Sequence, residues 1–214
     1  MTGPAAAYAV LLTLLTLLTI PAAAYAHEPD QHAAHTPRAA PDPASRDGSG
    51  AFPADIGGPF RLQDANGRSI DSRQDFKGQL VMLFFGYARC PGICPVALDA
   101  MEHALDLLPA EQAGKVRPVM ITIDPGHDTS ELLRTEFARE HPRIMGLTGS
   151  DAQIKTAIDA YRIKKALVHI TAEGEPVYAH GSWIYFLDGE GNLSGILPPN
   201  ASGEDIASAL GRRL

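Results

Sequence analysis

Three strongly apolar runs stand out along the chain, at residues 80–85, 119–123 and 183–187. Runs of this kind, without a polar residue at every second position, are typical of strands that are buried on both faces of a sheet. We therefore predict three strands at the centre of one sheet.

Apolar residues recur at every third or fourth position between and after these runs, as they do along one face of a helix. The repeats are Leu98, Met101, Leu105 and Leu108; Leu132, Leu133 and Phe137; and Ile154, Ala157, Ile158 and Tyr161. Ser150 or Asp151 is expected to cap the third helix, and Ser202 with Asp205 a further one near the C-terminus. Strands that alternate with helices predict an α/β sandwich with parallel pairing at its centre.

Two turn signals predict antiparallel hairpins in the same sheet. Asn66 and Gly67, between two short apolar segments, are the strongest short hairpin signal in the chain. A Gly-rich turn at residues 188–192 joins the run at 183–187 to residues 193–197. The expected sheet is therefore mixed.

The first 26 residues have the composition of an export segment. No charged side chain occurs between Thr2 and Ala26, and residues 10–20 form an apolar centre of the length found in signal peptides. Small residues before Ala26 favour cleavage there, whereas an uncut segment is long enough to span a bilayer. Residues 1–26 are therefore predicted to be a signal peptide or an N-terminal membrane anchor, and the rest of the chain is expected outside the cytoplasm.

Residues 27–51 are rich in Pro, Ala and Gly and poor in large apolar side chains, which predicts a disordered linker. His27, His32 and His35 lie in it; they either hold a borderline metal loosely or have no specific role. The folded domain is expected to cover residues 52–214.

Composition and charge argue against nucleic acid as a partner. The chain is 45% hydrophobic and 20% charged, the ordinary range of a globular domain, and its net charge is -7. No long run of Lys and Arg is present to attract a phosphate backbone, so nucleic acid is not an expected partner.

The only two cysteines, Cys90 and Cys94, lie between the first central strand and the helix that follows it. In open α/β sheets, ligands bind at this edge. Pro95 at the first helical position would make Cys94 the N-cap, where the helix dipole favours a thiolate, and Arg89 adds a cation. We expect both thiols to be accessible and reactive, with lowered pKa values.

A static disulfide between the cysteines would add little stability because the loop is short, and structural zinc would need four ligands. Two thiolates with one neutral ligand suit Cu(I). His180, in a predicted loop before the third strand, is the best candidate, although an isolated histidine is often only a hydrogen-bonded loop residue. His127, in a turn after the second strand, is another candidate, and His141 is expected at the end of a helix, where a cation is favourable.

Five motifs together resemble the Sco/SenC family of copper proteins. They are Gly86-Tyr87, Cys90-Pro-x-x-Cys94-Pro95, Asp124-Pro-x-x-Asp128-Thr129, Leu147-Thr-Gly149, and His180 nine residues before Gly189. The resemblance covers roughly the predicted folded domain. It implies a thioredoxin-like sandwich with a central mixed sheet, flanking helices and an extra β-hairpin.

The resemblance also implies a function. Members of the family bind copper and help to assemble the dinuclear copper site of cytochrome c oxidase, as copper carriers, as thiol-disulfide reductants of that site, or both. One copper per chain is expected here, with the copper-site subunit of an oxidase as partner. Another copper chaperone or a thioredoxin-like reductant is a further expected partner, in the periplasm or on the outer face of the cytoplasmic membrane.

By position, Cys90, Cys94 and His180 match the family's copper ligands, while Asp124 and Asp128 match an acidic turn that is expected to support the site. The family usually has an aspartate before the histidine and a serine or threonine after it.

This chain departs from that pattern with Ala179 and Gly181 on either side of the histidine. Loss of a hydrogen-bond partner to a metal-binding imidazole typically costs about 10- to 100-fold in affinity or activity. Ser182, one place later, is a candidate replacement for that partner.

Two alternatives to a copper chaperone follow from the same cysteines. In a thiol-disulfide oxidoreductase, Cys90 and Cys94 would be a catalytic pair, one attacking a partner's disulfide and the other resolving the mixed disulfide. A peroxiredoxin-like peroxidase is weaker, because the peroxiredoxins have a different residue type where Tyr87 stands, three positions before Cys90.

Overall fold

The computed structural model describes residues 56–214. The predicted export segment, the linker with His27, His32 and His35, and the start of the predicted domain at residue 52 lie outside the described residues. Within residues 56–214, no helix combines the length and apolarity needed to cross a bilayer.

Nine strands and seven helical segments make up the described part of the chain. The strands are β1 (Arg61–Asp64), β2 (Ser69–Asp71), β3 (Leu80–Gly86), β4 (Val116–Thr122), β5 (Met145–Thr148), β6 (Lys165–Ile170), β7 (Pro176–His180), β8 (Ile184–Leu187) and β9 (Leu193–Leu197). The helices are α1 (Ser72–Asp75), α2 (Ile93–Leu107), α3 (Ala110–Ala113), α4 (Ser130–Leu132), α5 (Ala138–Glu140), α6 (Asp151–Ala160) and α7 (Gly203–Gly211). A π-helical turn, Leu133–Phe137, joins α4 to α5.

Seven of the strands form one mixed sheet in the order β2-β1-β5-β4-β3-β8-β9. β3, β4 and β5 are parallel, whereas β1 and β8 join this centre in antiparallel orientation. Every residue of β3 is buried, which explains its uninterrupted apolar sequence. The predicted mixed α/β architecture is confirmed.

Both predicted hairpins are present. Leu62 pairs with Ile70 across β1 and β2, and Tyr185 pairs with Ile196 across β8 and β9. The third apolar run is shorter than predicted, because β8 begins at Ile184 and Trp183 precedes it with an exposed side chain.

Sequence periodicity did not predict β5, although this strand joins the parallel centre to β1. Gly146 interrupts its apolar character for a steric reason. A Cβ atom there would lie 3.1 Å from the ring of Phe137 and 3.2 Å from the side chain of Leu133. The glycine therefore lets the π-helical turn pack directly on the sheet.

Helix caps follow the sequence prediction at two places. Ser150 accepts a hydrogen bond from the backbone of Gln153 at the start of α6, and Ser202 does the same for Asp205 at the start of α7. Each forms a reciprocal capping box, which satisfies backbone N–H groups that a helix terminus leaves unpaired.

The predicted start of α2 was wrong by two residues. Gly92 is the N-cap, so Cys94 is the second residue of the helix and Pro95 the third. The first four N–H groups of a helix have no intrahelical acceptor, and proline is therefore tolerated throughout the first turn. This shift places Cys94 inside the helix, facing the core.

A separate two-stranded hairpin, β6 with β7, was also not predicted. All six residues of β6 are exposed, including Leu167, Val168 and Ile170. His180 is the last residue of β7 and pairs with Lys165, so it lies at a strand end and not in the predicted loop.

Candidate metal centre

Three separate elements bring Cys90, Cys94 and His180 together. Cys90 lies in the loop after β3, Cys94 in the first turn of α2, and His180 at the end of β7. Their two sulfur atoms and one imidazole nitrogen all lie within 4.8 Å of one another. The cluster sits beyond the carboxyl end of β3, the edge of the sheet where the sequence predicted a ligand site.

The imidazole of His180 is oriented by its neighbours in the chain. Its Nδ1 lies 3.0 Å from the carbonyl oxygen of Gly181 and 3.2 Å from the hydroxyl of Ser182. Nδ1–H donates to these oxygens, which leaves Nε2 as the acceptor atom, 3.6 Å from Sγ of Cys94. Gly181 and Ser182 thus supply the orienting contact that the aspartate absent from position 179 would otherwise make.

Cys94 is held against Gly86 at the end of β3. A Cβ atom on Gly86 would lie 3.1 Å from Sγ of Cys94 and 2.8 Å from the ring of Phe84. Only a glycine lets the sulfur approach the strand this closely. As a result Cys94 is 1% exposed and Cys90 9% exposed, so the prediction of accessible thiols was wrong.

The two thiols do not share the lowered pKa that the sequence predicted. A hydrogen bond from Cys94 lowers the pKa of Cys90 against the opposing effect of burial, and the backbone N–H groups of Cys94 and Gly92 lower it further. That same hydrogen bond, together with burial, raises the pKa of Cys94. Cys90 is therefore the thiolate, and Cys94 is the protonated donor of the hydrogen bond between them.

Arg89 does not act on the sulfurs as predicted. Its guanidinium lies 2.8 Å from a carboxylate oxygen of Glu136 in the π-helical turn and 2.7 Å from one of Glu175. Glu175 directly precedes β7, so Arg89 ties the cysteine loop to the hairpin that carries His180.

Asp128 connects the cysteine loop to the end of β4. Its Oδ2 accepts a hydrogen bond of 2.9 Å from the backbone N–H of Ala88 and one of 2.6 Å from the hydroxyl of Thr122. Asp124 instead lies 2.9 Å from Nδ1 of His127. His127, the other candidate ligand, therefore has a partner in its own turn and does not belong to the cysteine cluster. The contact of Asp128 with Ala88 agrees with the supporting role expected for the acidic turn.

Sequence reasoning did not give Tyr87 a role in the site. Its hydroxyl accepts a 3.2 Å hydrogen bond from the backbone N–H of Tyr178 in β7. Its ring also packs edge-on against His180, with centroids 5.9 Å apart. These partners are far away in the sequence, so only the motif Gly86-Tyr87 pointed to this residue. Tyr87 and Arg89 together join the cysteine loop to the β6–β7 hairpin.

The other histidines within residues 56–214 lie away from the cluster. His103 on α2 and His169 on β6 are exposed. His141 is the C-cap of α5, at the helix end where it was predicted, and it is only 7% exposed. The ring packs against Phe137, with centroids 5.3 Å apart, because the chain turns inward after α5.

Two sulfurs and one imidazole nitrogen make a soft ligand set of low coordination number. Such a set favours Cu(I) over the harder oxygen-preferring cations. A structural zinc site would need a fourth ligand, and the cluster within residues 56–214 consists of three residues.

Comparison with known proteins gives consistent matches. A family model described as SCO1/SenC matches residues 48–214. An SCO2-like protein of Rickettsia conorii is 38% identical over 138 residues, which cover 64% of this chain and 66% of that protein. The mitochondrial SCO2 homolog of Homo sapiens is 33% identical over 158 residues, which cover 73% of this chain and 59% of that protein. Each match spans less than two thirds of the relative's length.

Among solved structures, ScoI of Bradyrhizobium japonicum with copper bound resembles the described fold with a TM-score of 0.66. It is 32% identical in sequence, and the alignment covers 74% of this chain and 99% of that one. The likeness confirms the thioredoxin-like fold that the sequence motifs implied.

Proposed function

The chain belongs to the SCO1/SenC family, and we propose that it binds one copper ion through Cys90, Cys94 and His180 for the dinuclear copper site of a cytochrome c oxidase. In this role it delivers copper to that site or prepares it. The carrying observation is the convergence of three suitable ligand atoms within 4.8 Å. The likeness to a copper-bound ScoI supports it.

The protonation pattern of the site suits loading with Cu(I). Cys90 is already the thiolate, so it offers the first ligand, and Cys94 must give up its proton as the second sulfur binds. Nε2 of His180 faces this pair and needs no change of tautomer. Loading therefore releases one proton from the cysteine pair.

Release to a partner is favoured by the position of His180. The other two ligands lie next to the central sheet, whereas His180 belongs to a two-stranded hairpin outside it. Opening of that hairpin would remove the imidazole and leave two sulfurs, which thiols of a partner can replace in turn. We further propose that this exchange takes place in the periplasm or on the outer face of the cytoplasmic membrane, with residues 1–26 as export signal or anchor.

The test is an anaerobic titration of the full reduced chain with Cu(I) against a competing chelator. The parent is expected to bind one copper per chain. His180→Ala is expected to bind at least about 10-fold more weakly, and Cys90→Ser or Cys94→Ser to lose tight binding, because each removes a ligand. His169→Ala is the matched control, since His169 lies on β6 of the same hairpin with an exposed side chain. A reduced parent that ignores Cu(I), or ligand variants that bind like the control, would refute the proposal.

A second candidate function is thiol-disulfide exchange, and the unequal pKa values of the cysteines favour it. Cys90 thiolate would attack a partner's disulfide, form a mixed disulfide and release one thiolate. Cys94 would then attack the mixed disulfide, releasing the second thiol and leaving a Cys90–Cys94 disulfide that a thioredoxin-like reductant must reduce. Reduction of a partner disulfide that survives His180→Ala but not Cys90→Ser would support this activity.

A further inference from the structure

A second cluster of metal-binding side chains lies on α2, away from the cysteines. Asp99 and Glu102 are three residues apart, which places them on one face of that helix. His141, just after α5, faces them, and one ligand atom from each of the three residues lies within 4.8 Å of the others. We propose that Asp99, Glu102 and His141 bind a divalent cation of borderline softness, with Zn²⁺ as its representative.

His141 presents a buried, unpaired nitrogen to this cluster. Its side chain is 9% exposed, and its Nδ1 is buried without a hydrogen-bond partner in the described part of the chain. Buried polar nitrogens are normally paired, because an unpaired one has lost its water without compensation. Packing on Phe137 holds the ring so that this nitrogen points toward the two carboxylates.

The distances fit an ion better than a direct hydrogen bond. Nδ1 of His141 lies 3.5 Å from Oε2 of Glu102 and 3.7 Å from Oδ1 of Asp99. Hydrogen bonds between nitrogen and oxygen measure about 2.7–3.2 Å. Two ligands around a tetrahedral ion with bonds of 2.0–2.1 Å lie roughly 3.3 Å apart. The two distances from Nδ1 of His141 are therefore close to those between ligands of a bound Zn²⁺.

The surroundings orient the carboxylate of Glu102. Its Oε1 accepts a 2.9 Å hydrogen bond from the backbone N–H of Arg143, which leaves Oε2 directed at His141. The guanidinium of Arg143 is engaged by the carboxylate of Asp106. Contacts of this kind, which fix a ligand from outside, are typical of metal sites.

One imidazole and two carboxylates are a harder ligand set than two thiolates and an imidazole. They suit Zn²⁺ and related divalent ions, while the cysteine centre suits Cu(I). The side chain of Asp99 is 73% exposed, so water can complete the coordination. A bound ion would tie α2 to the segment after α5, and this proposal does not depend on the copper function.

The test is a calorimetric titration with Zn²⁺ of the full chain that carries Cys90→Ser, Cys94→Ser and His180→Ala, so that the first centre cannot take the ion. Adding Asp99→Asn or His141→Gln is expected to remove one Zn²⁺ equivalent or to weaken it at least about 10-fold. Histidines outside the described residues remain in every protein compared, and their contribution therefore cancels.

Two matched controls complete this experiment. Glu111→Gln removes an exposed carboxylate and His169→Gln an exposed imidazole, and neither is expected to change Zn²⁺ binding. Asp99 is exposed, so Asp99→Asn keeps the test valid even if His141→Gln fails to fold. Equal stoichiometry and affinity in Asp99→Asn and in the controls would overturn the proposal.

Discussion

At the scale of single residues, the cysteine centre requires a glycine at position 86. Gly86 ends β3 with negative φ, so its backbone conformation does not require glycine. The requirement is space: a Cβ atom would press on the ring of Phe84, which is fully buried, and on Sγ of Cys94. Neither neighbour can move into solvent.

Gly86→Ala is therefore expected to destabilise the protein by about 1–3 kcal/mol, the usual range for overpacking a core. It should also weaken Cu(I) binding, because Cys94 must shift away from the other two ligands. Denaturant unfolding and the chelator competition measure the two effects. Gly211→Ala is the control, since nothing lies within 4 Å of a Cβ atom there and its φ is negative. A Gly86→Ala protein as stable as this control would contradict the steric explanation.

The contacts of His180 were predicted only in part. Its place among the copper ligands came from a motif, and the sequence also indicated Ser182 as a substitute partner for its imidazole. The contact from the carbonyl of Gly181 was not foreseen, because a backbone carbonyl leaves no signature in the sequence. Ala179 and Gly181 therefore change which atoms orient the ring, and an orienting contact remains.

At the scale of elements, contacts from the cysteine loop help to hold the β6–β7 hairpin beside the main sheet. Lys165 of β6 adds a hydrogen bond to the carbonyl of Ile123, just after β4. Arg89 binds Glu136 and Glu175, and the hydroxyl of Tyr87 binds the backbone of Tyr178. Exposed ion pairs add little to global stability, typically about 0–1 kcal/mol. We expect these contacts to affect mainly the local opening of the hairpin, because local opening costs less free energy than global unfolding.

Arg89→Ala is expected to speed amide hydrogen exchange in β6 and β7 while the free energy of unfolding falls by no more than about 1 kcal/mol. Hydrogen-exchange mass spectrometry of the full chain measures the first quantity, and denaturant titration the second. Arg61→Ala is the matched control, because it breaks an exposed ion pair with Asp71 at the other end of the sheet. If both variants exchange alike in β6 and β7, Arg89 does not hold the hairpin.

Elements were predicted well where their sequences are locally distinctive. The long apolar β3 and the capped helices α6 and α7 follow from periodicity and cap chemistry. β5 was missed because Gly146 breaks its pattern. β6 was missed because its apolar residues Ala166, Leu167 and Val168 are consecutive and do not alternate with polar ones. The start of α2 was misplaced because proline fits several positions of a first turn.

At the scale of the whole molecule, a buried carboxylate links pH to stability. Burial raises the pKa of Asp128 to about 6, against 3.8 for the ordinary carboxyl. Between these values the folded protein binds a proton that the unfolded chain does not. Protonation of Asp128 therefore stabilises the fold as the pH falls, and this contribution is lost as the pH rises through about 6.

Asp128→Asn is expected to remove this dependence, because the amide oxygen can still accept from Ala88 and Thr122 but carries no charge. The difference in unfolding free energy between parent and variant should change by up to about 1.4 kcal/mol per pH unit between pH about 4 and about 6. Denaturant unfolding of the metal-free chain across this range measures it. Parallel pH profiles for the two proteins would show that Asp128 is not the responsible group.

The sequence by itself determined the α/β class, the central strands, the hairpins of the sheet and the position of both cysteines at a ligand-binding edge. These features depend on side-chain periodicity and on turn residues within a few positions of one another. A short stretch of sequence is therefore enough to predict each of them. The role of His180 came instead from the family resemblance, which rests on several motifs in a fixed order along the chain.

Only the tertiary structure decided how the distant parts meet. Cys94 and His180 are 86 residues apart, and their contact depends on a hairpin that packs beside the cysteine loop. It also decided which cysteine is the thiolate, and it buried His141 against Asp99 and Glu102. These outcomes depend on burial and on contacts between elements that are far apart in the sequence. The order of residues along the chain does not give the distances between such elements.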